Sequence, residues 1–444
     1  MFASCAALII MSPACAEDLM AVYRLAQLND PTLLSARYQL EGVYQKIPQA
    51  RANLLPVISA NGLDSHTLAK TAFNNIPDIP ELDTPAIDRD TKSWNWNVQI
   101  TQPLFRAENV YAYKESELIV AQAEAQYENA KQDLLVRVAQ AYFAENEARD
   151  AIAAADAQIA ALDEQLAQVT KGYQEGTHAV TDIDDTKSRL GTARSQRIAA
   201  QNDLENADAD LEKITGKVIF NLDPLRATVT IPEPDPMSSR EWMEKARTSH
   251  PLVLAQEAAM AAAKQEIKKN RSDHLPTLDI VANYGSNWSS HSLTTPNDYS
   301  TRAKQNEVGL QLTVPLFTGG STSSKVVEAI AAMNKAEEDL EVASRQASND
   351  AQHAFAGVTN GLAQIDALNV AVESGQSALK GNQAGYKLGI KINIDVLNAQ
   401  QQLFTAQRDL SKARYETLLQ GLKLKAAAGA LGEADFEVVN GMLH

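Results

Sequence analysis

The chain repeats itself, and this internal duplication constrains its fold more than any other feature of the sequence. A repeated order of landmarks indicates a repeated structural unit. The early landmarks recur at one constant offset and the later ones at a slightly shorter offset, so we predict two copies, residues 17–235 and 236–444, that differ in one loop. The corresponding landmarks are Asn29 to Leu33 and Ser249 to Val253, Leu55-Pro56 and Leu275-Pro276, Pro103 to Phe105 and Pro315 to Phe317, and Gly172, Tyr173, Asp182 and Gly216 with Gly385, Tyr386, Asp395 and Gly429.

Each copy contains a pair of short segments with a period of two residues. From Trp94 to Thr101, and again from Val308 to Val314, apolar and polar residues alternate, which is typical of a strand with one apolar face. A preceding strand is predicted in each copy, over residues 57–63 and 278–284, and a polar loop follows it. We therefore expect two hairpins, within residues 52–106 and 273–317.

Four strands are too few to close a sheet within one chain. A soluble β-sandwich would show the same alternation. In a membrane, however, open strand edges cannot face lipid, so a sheet that spans a bilayer would have to be completed by further copies of the chain. The sequence offers no stretch of the roughly 18 to 20 apolar residues that a membrane-spanning helix needs.

The second element of each copy is a long helical hairpin, predicted over residues 107–215 and 320–429. Proline is absent between Ala107 and Lys171 and between Thr322 and Ala384, so each segment of about 65 residues can form one helix about 100 Å long. Heptad-like spacing of apolar residues, with a gap at Glu145, favours coiled-coil packing. Glycine-containing turns at residues 172–176 and 385–389 are predicted to separate the two helices of each hairpin.

Residues 1–16 resemble a secretory leader, with an apolar run and an Ala-Cys-Ala end at residues 14–16. The alternative is a disordered start, because the segment lacks a basic beginning. Both cysteines, Cys5 and Cys15, lie in this segment, so the exported chain would contain neither disulfides nor a cysteine metal site. The net charge of −16, with no basic cluster, argues against binding of nucleic acid.

Four segments make a family resemblance specific: Leu275 to Ile280, Val314 to Gly320, Ile214 to Gly216 and Gly385 to Gln400. In their order and duplication the chain resembles the TolC family of outer-membrane efflux and type I secretion proteins. The resemblance implies an α+β membrane protein, a homotrimer whose twelve-stranded β-barrel, four strands from each protomer, sits in outer-membrane lipid and is continued by an α-helical barrel in the periplasm. Residues 216–235 and the C-terminal segment would form a belt around this tunnel.

The resemblance also implies a function and partners. Members of the family export proteins or small toxic compounds together with a periplasmic adaptor and an inner-membrane pump, either an ABC transporter or a proton-driven one. No cofactor and no metal are expected, and no catalytic motif is present. The alternative function is a periplasmic adaptor or coiled-coil scaffold without a pore.

Three groups of site residues follow from the resemblance. In the family, a basic residue and a tyrosine hold a periplasmic gate closed against a Thr-Asp pair, acidic residues narrow the entrance, and the helical turns contact the adaptor. Lys391 replaces the arginine usual in the family and loses its bidentate geometry. The predicted residues are Tyr386, Lys391, Thr181 and Asp182 for the gate; Asp395, Asn398 and Asp185 for the entrance; and Glu175, Gly176, Thr177, Leu388, Gly389 and Ile390 for the adaptor.

Besides Lys391, three of these positions depart from the family pattern or compensate for a departure. Asn398 stands where an acidic residue is common, which would weaken a preference for cations. Asp185 occupies the corresponding place in the first copy and would replace part of that charge if it faced the lumen; otherwise it is an exposed carboxylate near a helix N-terminus. Glu175 replaces a common apolar residue, so the adaptor specificity is expected to differ.

Overall fold

A computed structural model describes residues 17–71, 87–219, 221–226, 229–291 and 299–443. The predicted leader, with Cys5 and Cys15, lies outside the described residues. The elements in chain order are α1 (Leu19–Asn29), α2 (Pro31–Tyr44), α3 (Lys46–Ala52), β1 (Val57–Thr71), β2 (Ile87–Phe105), α4 (Ala107–Gln174), α5 (Val180–Thr215), α6 (Ser239–Ser249), α7 (Pro251–Ser272), β3 (Thr277–Ser289), β4 (Thr301–Thr313), α8 (Ser321–Lys387), α9 (Asn393–Ala427) and α10 (Glu433–Asn440).

The four described strands form one antiparallel sheet in the order β1-β2-β3-β4. The two predicted hairpins are present as the β1–β2 and β3–β4 pairs, and β2 joins β3 so that the two repeats share one sheet. The backbones of β2 and β3 approach closely at Gly285, where a Cβ atom would lie 2.6 Å from the carbonyl oxygen of Trp96. This arrangement leaves β1 and β4 at the edges.

The strands are longer than alternation alone predicts. The first strand was expected to end at residue 63, but β1 continues to Thr71. Polar pairs across the β1–β2 ladder accompany this extension: the hydroxyl oxygens of Ser65 and Ser93 are 2.8 Å apart, and Lys70 Nζ lies 3.5 Å from a carboxylate oxygen of Asp88. Such cross-strand pairs stabilise a ladder whose residues no longer alternate between apolar and polar.

Helices α4 and α8 contain 68 and 67 residues, in agreement with the long uninterrupted helices expected from the sequence. The first glycine of each predicted turn lies inside a helix instead: Gly172 belongs to α4 and Gly385 to α8. Each of these two glycines packs against a side chain of the turn that follows it, His178 for Gly172 and Lys391 for Gly385, so the helix continues past the glycine. None of the described helices combines the length and apolar character needed to cross a lipid bilayer.

The chain divides into two compact units, and each unit takes segments from both repeats. The first comprises Met1–Leu40, Ala123–Glu257 and Asp339–His444, and the second Glu41–Gln122 and Ala258–Glu338. In the first unit, the largest apolar core includes Leu19, Leu134, Tyr142, Leu211 and Phe436, all at most 1% exposed. In the second, Arg106 donates two hydrogen bonds, of 2.8 and 2.7 Å, to the buried carboxylate of Asp279 at the end of the sheet.

The gap in the heptad pattern at Glu145 is a buried carboxyl group. Its side chain is fully buried in the first unit, and a carboxylate oxygen accepts a hydrogen bond of 2.5 Å from Arg149 one turn later. Burial raises the pKa of Glu145, an effect that Arg149 partly offsets. A break in the apolar pattern therefore does not interrupt the packing of α4.

Candidate functional site

The two helical hairpins end in turns with the same backbone structure, and both turns belong to the first compact unit. Gly176 and Gly389 have φ values of +75° and +72°, which glycine adopts without strain. The backbone hydrogen bonds also match between equivalent positions of the two repeats. They run from Gly176 N to Tyr173 O (3.0 Å), Thr177 N to Gly172 O (2.8 Å), Gly389 N to Tyr386 O (3.0 Å) and Ile390 N to Gly385 O (2.9 Å).

An aspartate caps the helix that follows each turn. The backbone N–H of Ala179 donates to Asp182 Oδ2 at 3.3 Å, and the N–H of Ile392 donates to Asp395 Oδ2 at 3.5 Å. Each carboxylate lies in the first turn of its helix, where negative charge interacts favourably with the helix dipole. Asp182, predicted for the gate, and Asp395, predicted for the entrance, thus have the same local role.

A basic side chain lies beside each capping aspartate. His178 Nδ1 is 4.0 Å from Asp182 Oδ2, and Lys391 Nζ is 3.7 Å from Asp395 Oδ2. Glycine makes room for both: a Cβ atom at Gly172 would overlap the imidazole of His178, and one at Gly385 would lie 2.8 Å from Lys391 Cγ. Because the first glycine of each turn has no side chain, the basic residue can pack against the helix at that position.

Tyr386 connects α8 to the turn of the first hairpin, called the first turn below. Its ring stacks on the imidazole of His178, with centroids 5.7 Å apart and an interplanar angle of 13°, and its hydroxyl lies 3.4 Å from His178 Nε2. Burial and the charge of Asp182 raise the pKa of Tyr386, so the phenol remains protonated at neutral pH. The two predicted gate residues Tyr386 and Asp182 are thus linked through His178.

Comparison with known proteins decides what kind of protein carries this pair of turns. The sequence profile described as outer membrane efflux protein matches residues 22–217 and 242–430, one segment in each predicted repeat. The chain belongs to the outer membrane efflux protein family. This confirms the predicted TolC-family relationship, and with it an outer-membrane location and a role in export. The family consists of transport proteins and is not a family of enzymes.

Relatives and solved structures agree with this assignment. Outer membrane protein TolC of Vibrio cholerae is 31% identical over 99% of this chain and 97% of its own length, and alkaline protease secretion protein AprF of Pseudomonas aeruginosa is 31% identical over 97% and 88%. The structures of CusC and of the Campylobacter jejuni CmeC outer membrane channel each share 18% identity, with TM-scores of 0.78 and 0.77. The aligned region covers 93% of this chain and 92% of CusC, and 96% of this chain and 89% of CmeC. The predicted fold class is therefore confirmed.

Within this efflux-family chain, the other predicted gate residues make different contacts. Lys391, in the turn before α9, pairs with Asp395 in the first turn of α9, and Thr181 is exposed in the first turn of α5. The predicted contact between Lys391 and the Thr181-Asp182 pair on a neighbouring helix remains a prediction. The sequence analysis missed His178, although it is the counterpart of Lys391 in the first repeat and could have been found through the duplication.

An arginine that was not predicted lies beside one of the predicted entrance residues. The side-chain oxygen of Asn398 accepts a hydrogen bond of 2.8 Å from Arg189 of α5, which also bonds to Gln401. Asp185 is exposed on α5. Arg189 therefore supplies positive charge beside the position where the family commonly has an acidic residue.

Asn393 is a second residue that the sequence analysis missed. Its side chain is only 2% exposed; Nδ2 donates to the Asp182 carbonyl oxygen at 3.3 Å and to Thr186 Oγ1 at 3.1 Å, and Oδ1 accepts from Gln165 Nε2 at 2.8 Å. These bonds tie the start of α9 to α5 and α4. The residue's place at the first position of α9 is the only signal that the sequence carries.

The predicted adaptor-contact residues differ between the two turns. Glu175, Gly176 and Thr177 form an exposed polar tip, whereas Leu388 and Ile390 are 75% and 76% exposed on either side of Gly389. Neighbouring apolar side chains with such exposure are typical of protein interaction surfaces.

Proposed function

We propose that three copies of this chain form one export duct in the outer membrane, which works with a periplasmic adaptor and an inner-membrane pump. The exposed edge of the sheet carries this proposal. Every residue of β4 is exposed, and Val308, Leu310 and Leu312 reach 79%, 70% and 64%. An unpaired edge with apolar residues needs a partner. Pairing β4 of one copy with β1 of the next would close a sheet of twelve strands in the lipid.

The oligomeric state tests this proposal directly. The protein, purified from outer membranes in mild detergent, should have about three times the mass of one chain by light scattering, after subtraction of the detergent. The matching functional test is the insertion of the same sample into planar lipid bilayers, where it should produce discrete conducting channels. A monodisperse monomer recovered from the periplasmic fraction would instead support the adaptor or scaffold alternative.

The gate of this duct is the cluster of side chains at the two turns, with Tyr386, Lys391, Thr181 and Asp182 as its contacts. The Lys391 side chain is half exposed and its Nζ lies 3.7 Å from a carboxylate oxygen of Asp395, so it can exchange this partner for Asp182 of a neighbouring copy. An exposed ion pair contributes about 0–1 kcal/mol, so three copies contribute at most about 3 kcal/mol, a barrier that adaptor binding can overcome. Asp395, Asn398 and Asp185 would then line the entrance.

Replacement of the lysine tests the gate. Lys391→Ala should increase the open fraction of the channel in planar bilayers, whereas Lys387→Ala, at the last residue of α8, should leave it unchanged. Equal open fractions in wild type and Lys391→Ala would rule out a gate role for this residue. Both variants should retain the trimeric mass, which separates gating from assembly.

Secreted proteins are the cargo that the relatives favour, and small toxic compounds are the second candidate. AprF and the proteases secretion protein PrtF of Dickeya chrysanthemi, 28% identical over 95% of this chain, are named for protein secretion, and BepC of Brucella suis is named for efflux. The proposal assigns no catalytic step to the chain. A deletion strain should lose one or more proteins from the culture medium; a fall in resistance to dyes and detergents alone would identify small-molecule efflux instead.

A further inference from the structure

His178 occupies in the first repeat the position that Lys391 occupies in the second. Each residue lies six positions after a glycine that makes room for it, and four positions before the aspartate that caps the next helix. The distances to these carboxylates are also similar, at 4.0 Å for His178 and 3.7 Å for Lys391. The duplication has therefore placed a basic side chain in the same local environment twice, but of two different kinds.

The imidazole of His178 is held from several sides. The backbone of α4 at Gly172 lies against one part of the ring, and Tyr386 of α8 stacks on its face. Of the titratable groups that contact the ring, Asp182 approaches Nδ1 from α5 and Tyr386 approaches Nε2 from α8. The side chain is only 27% exposed, so its position is defined by these contacts.

We infer that His178 is a positioning residue of the proposed gate, which holds Tyr386 against the first turn and makes closure depend on pH. This inference rests on the proposed gate. Histidine changes its charge between about pH 5 and pH 8, whereas lysine stays charged over this range. A protonated His178 forms an ion pair with Asp182 of the same hairpin, which holds the imidazole in position, and presents a cation to the Tyr386 ring, which strengthens the contact of α8 with the first turn.

The trimer would then carry three permanent charges at the Lys391 positions and three pH-dependent charges at the equivalent His178 positions. At acidic pH the hairpins are held together more firmly, so the closed state is favoured. Three symmetric copies of a partly exposed ion pair should lower the ratio of open to closed channels by about three- to thirty-fold between about pH 8 and about pH 5.5.

Planar bilayer recordings at a series of pH values test this inference, with His178→Gln and His178→Lys as the two variants. His178→Gln should remove the dependence of the open fraction on pH. His178→Lys should give a low open fraction at every pH in this range, because the charge is then permanent. His353→Gln, which removes an exposed histidine of α8, should keep the wild-type dependence.

The outcomes separate this inference from the proposed function. A conducting wild-type trimer whose pH dependence persists unchanged in His178→Gln, or in His178→Lys if the glutamine variant does not assemble, would overturn the role of His178 and leave the duct intact. A wild-type trimer that conducts at no pH would overturn both. A merely structural histidine would destabilise the trimer when replaced without changing the shape of the pH profile.

Discussion

The two hairpin turns have the same backbone conformation, and an aspartate caps the helix after each of them, yet their side chains contact different partners. In the first turn, His178 packs inward under Tyr386, and the tip formed by Glu175, Gly176 and Thr177 is polar. In the second, Lys391 is half exposed and Leu388 and Ile390 project into solvent. The duplication thus kept what the turn needs to form, while the two copies came to present different surfaces.

The largest expected difference is between the two capping aspartates. Asp182→Ala and Asp395→Ala each remove a cap, at a cost of about 0.3–1 kcal/mol. Asp182→Ala also removes the partner of His178 and the proposed partner of Lys391, so it should raise the ratio of open to closed channels by about ten- to a hundred-fold. Asp395→Ala should change this ratio less than about three-fold and mainly weaken cation preference. Bilayer recordings measure the ratio of open to closed channels, and reversal potentials measure the cation preference. Equal opening by the two variants would contradict the different roles proposed for Asp182 and Asp395.

A second difference concerns the tips of the turns. Leu388→Ser or Ile390→Ser should weaken adaptor binding by about ten- to thirty-fold in Kd, because each variant removes apolar surface that adaptor binding would bury and a few such buried anchors carry most of the binding energy at an interface. Glu175→Ser in the first turn should change Kd less than about three-fold, since rim charges contribute little. Titration of the purified adaptor onto the detergent-solubilised trimer measures these constants. A larger loss for Glu175→Ser would show that the first turn is the main contact.

A third difference lies at the first residue of the helix after each turn. Asn393 is buried and hydrogen bonded, whereas Val180, its counterpart in the first repeat, is 52% exposed. Asn393→Ala leaves the hydroxyl of Thr186 and the amide of Gln165 without this partner and should destabilise the start of α9 by about 1–2 kcal/mol. Val180→Ala should cost less than about 0.5 kcal/mol. Hydrogen exchange measures these costs in the first turn of α9 for Asn393→Ala and in the first turn of α5 for Val180→Ala. Equal losses of protection in the two variants would refute a stabilising role for Asn393.

The features that could be predicted from the sequence are the backbone elements that occur in both internal repeats. Proline-free heptads and paired glycines predicted the long helices and the positions of their turns, since both are local properties of the chain. The sheet hairpins followed from alternation, but the extension of β1 to Thr71 did not, because it involves polar pairs that form only across the ladder. Local patterns define elements better than they define where those elements end.

The functional side chains were harder to predict because their roles depend on packing between distant segments. Asp182 and Tyr386 were identified through the family resemblance, but the ring that links them belongs to His178, whose stacking requires α8 to lie beside the first turn. Glu145 likewise reads as a break in a heptad pattern, and its hydrogen bond with Arg149 is seen only in the packed structure. The internal repeat could have indicated His178, since it places this residue opposite Lys391.

The smallest expected difference is between Tyr386 and its counterpart in the first repeat, Tyr173. It tests whether Tyr386 acts through its hydroxyl or through its ring. Tyr386→Phe keeps the ring on His178 but removes a hydroxyl that lies 3.4 Å from Nε2, a long hydrogen bond. It should raise the open fraction by only about two- to five-fold. Tyr173→Phe, at a ring that is 49% exposed, should have no effect. If Tyr386→Phe opened the channel as far as Asp182→Ala does, the hydroxyl rather than the stacked ring would be the main gate contact, because the phenylalanine retains every ring contact that the tyrosine makes.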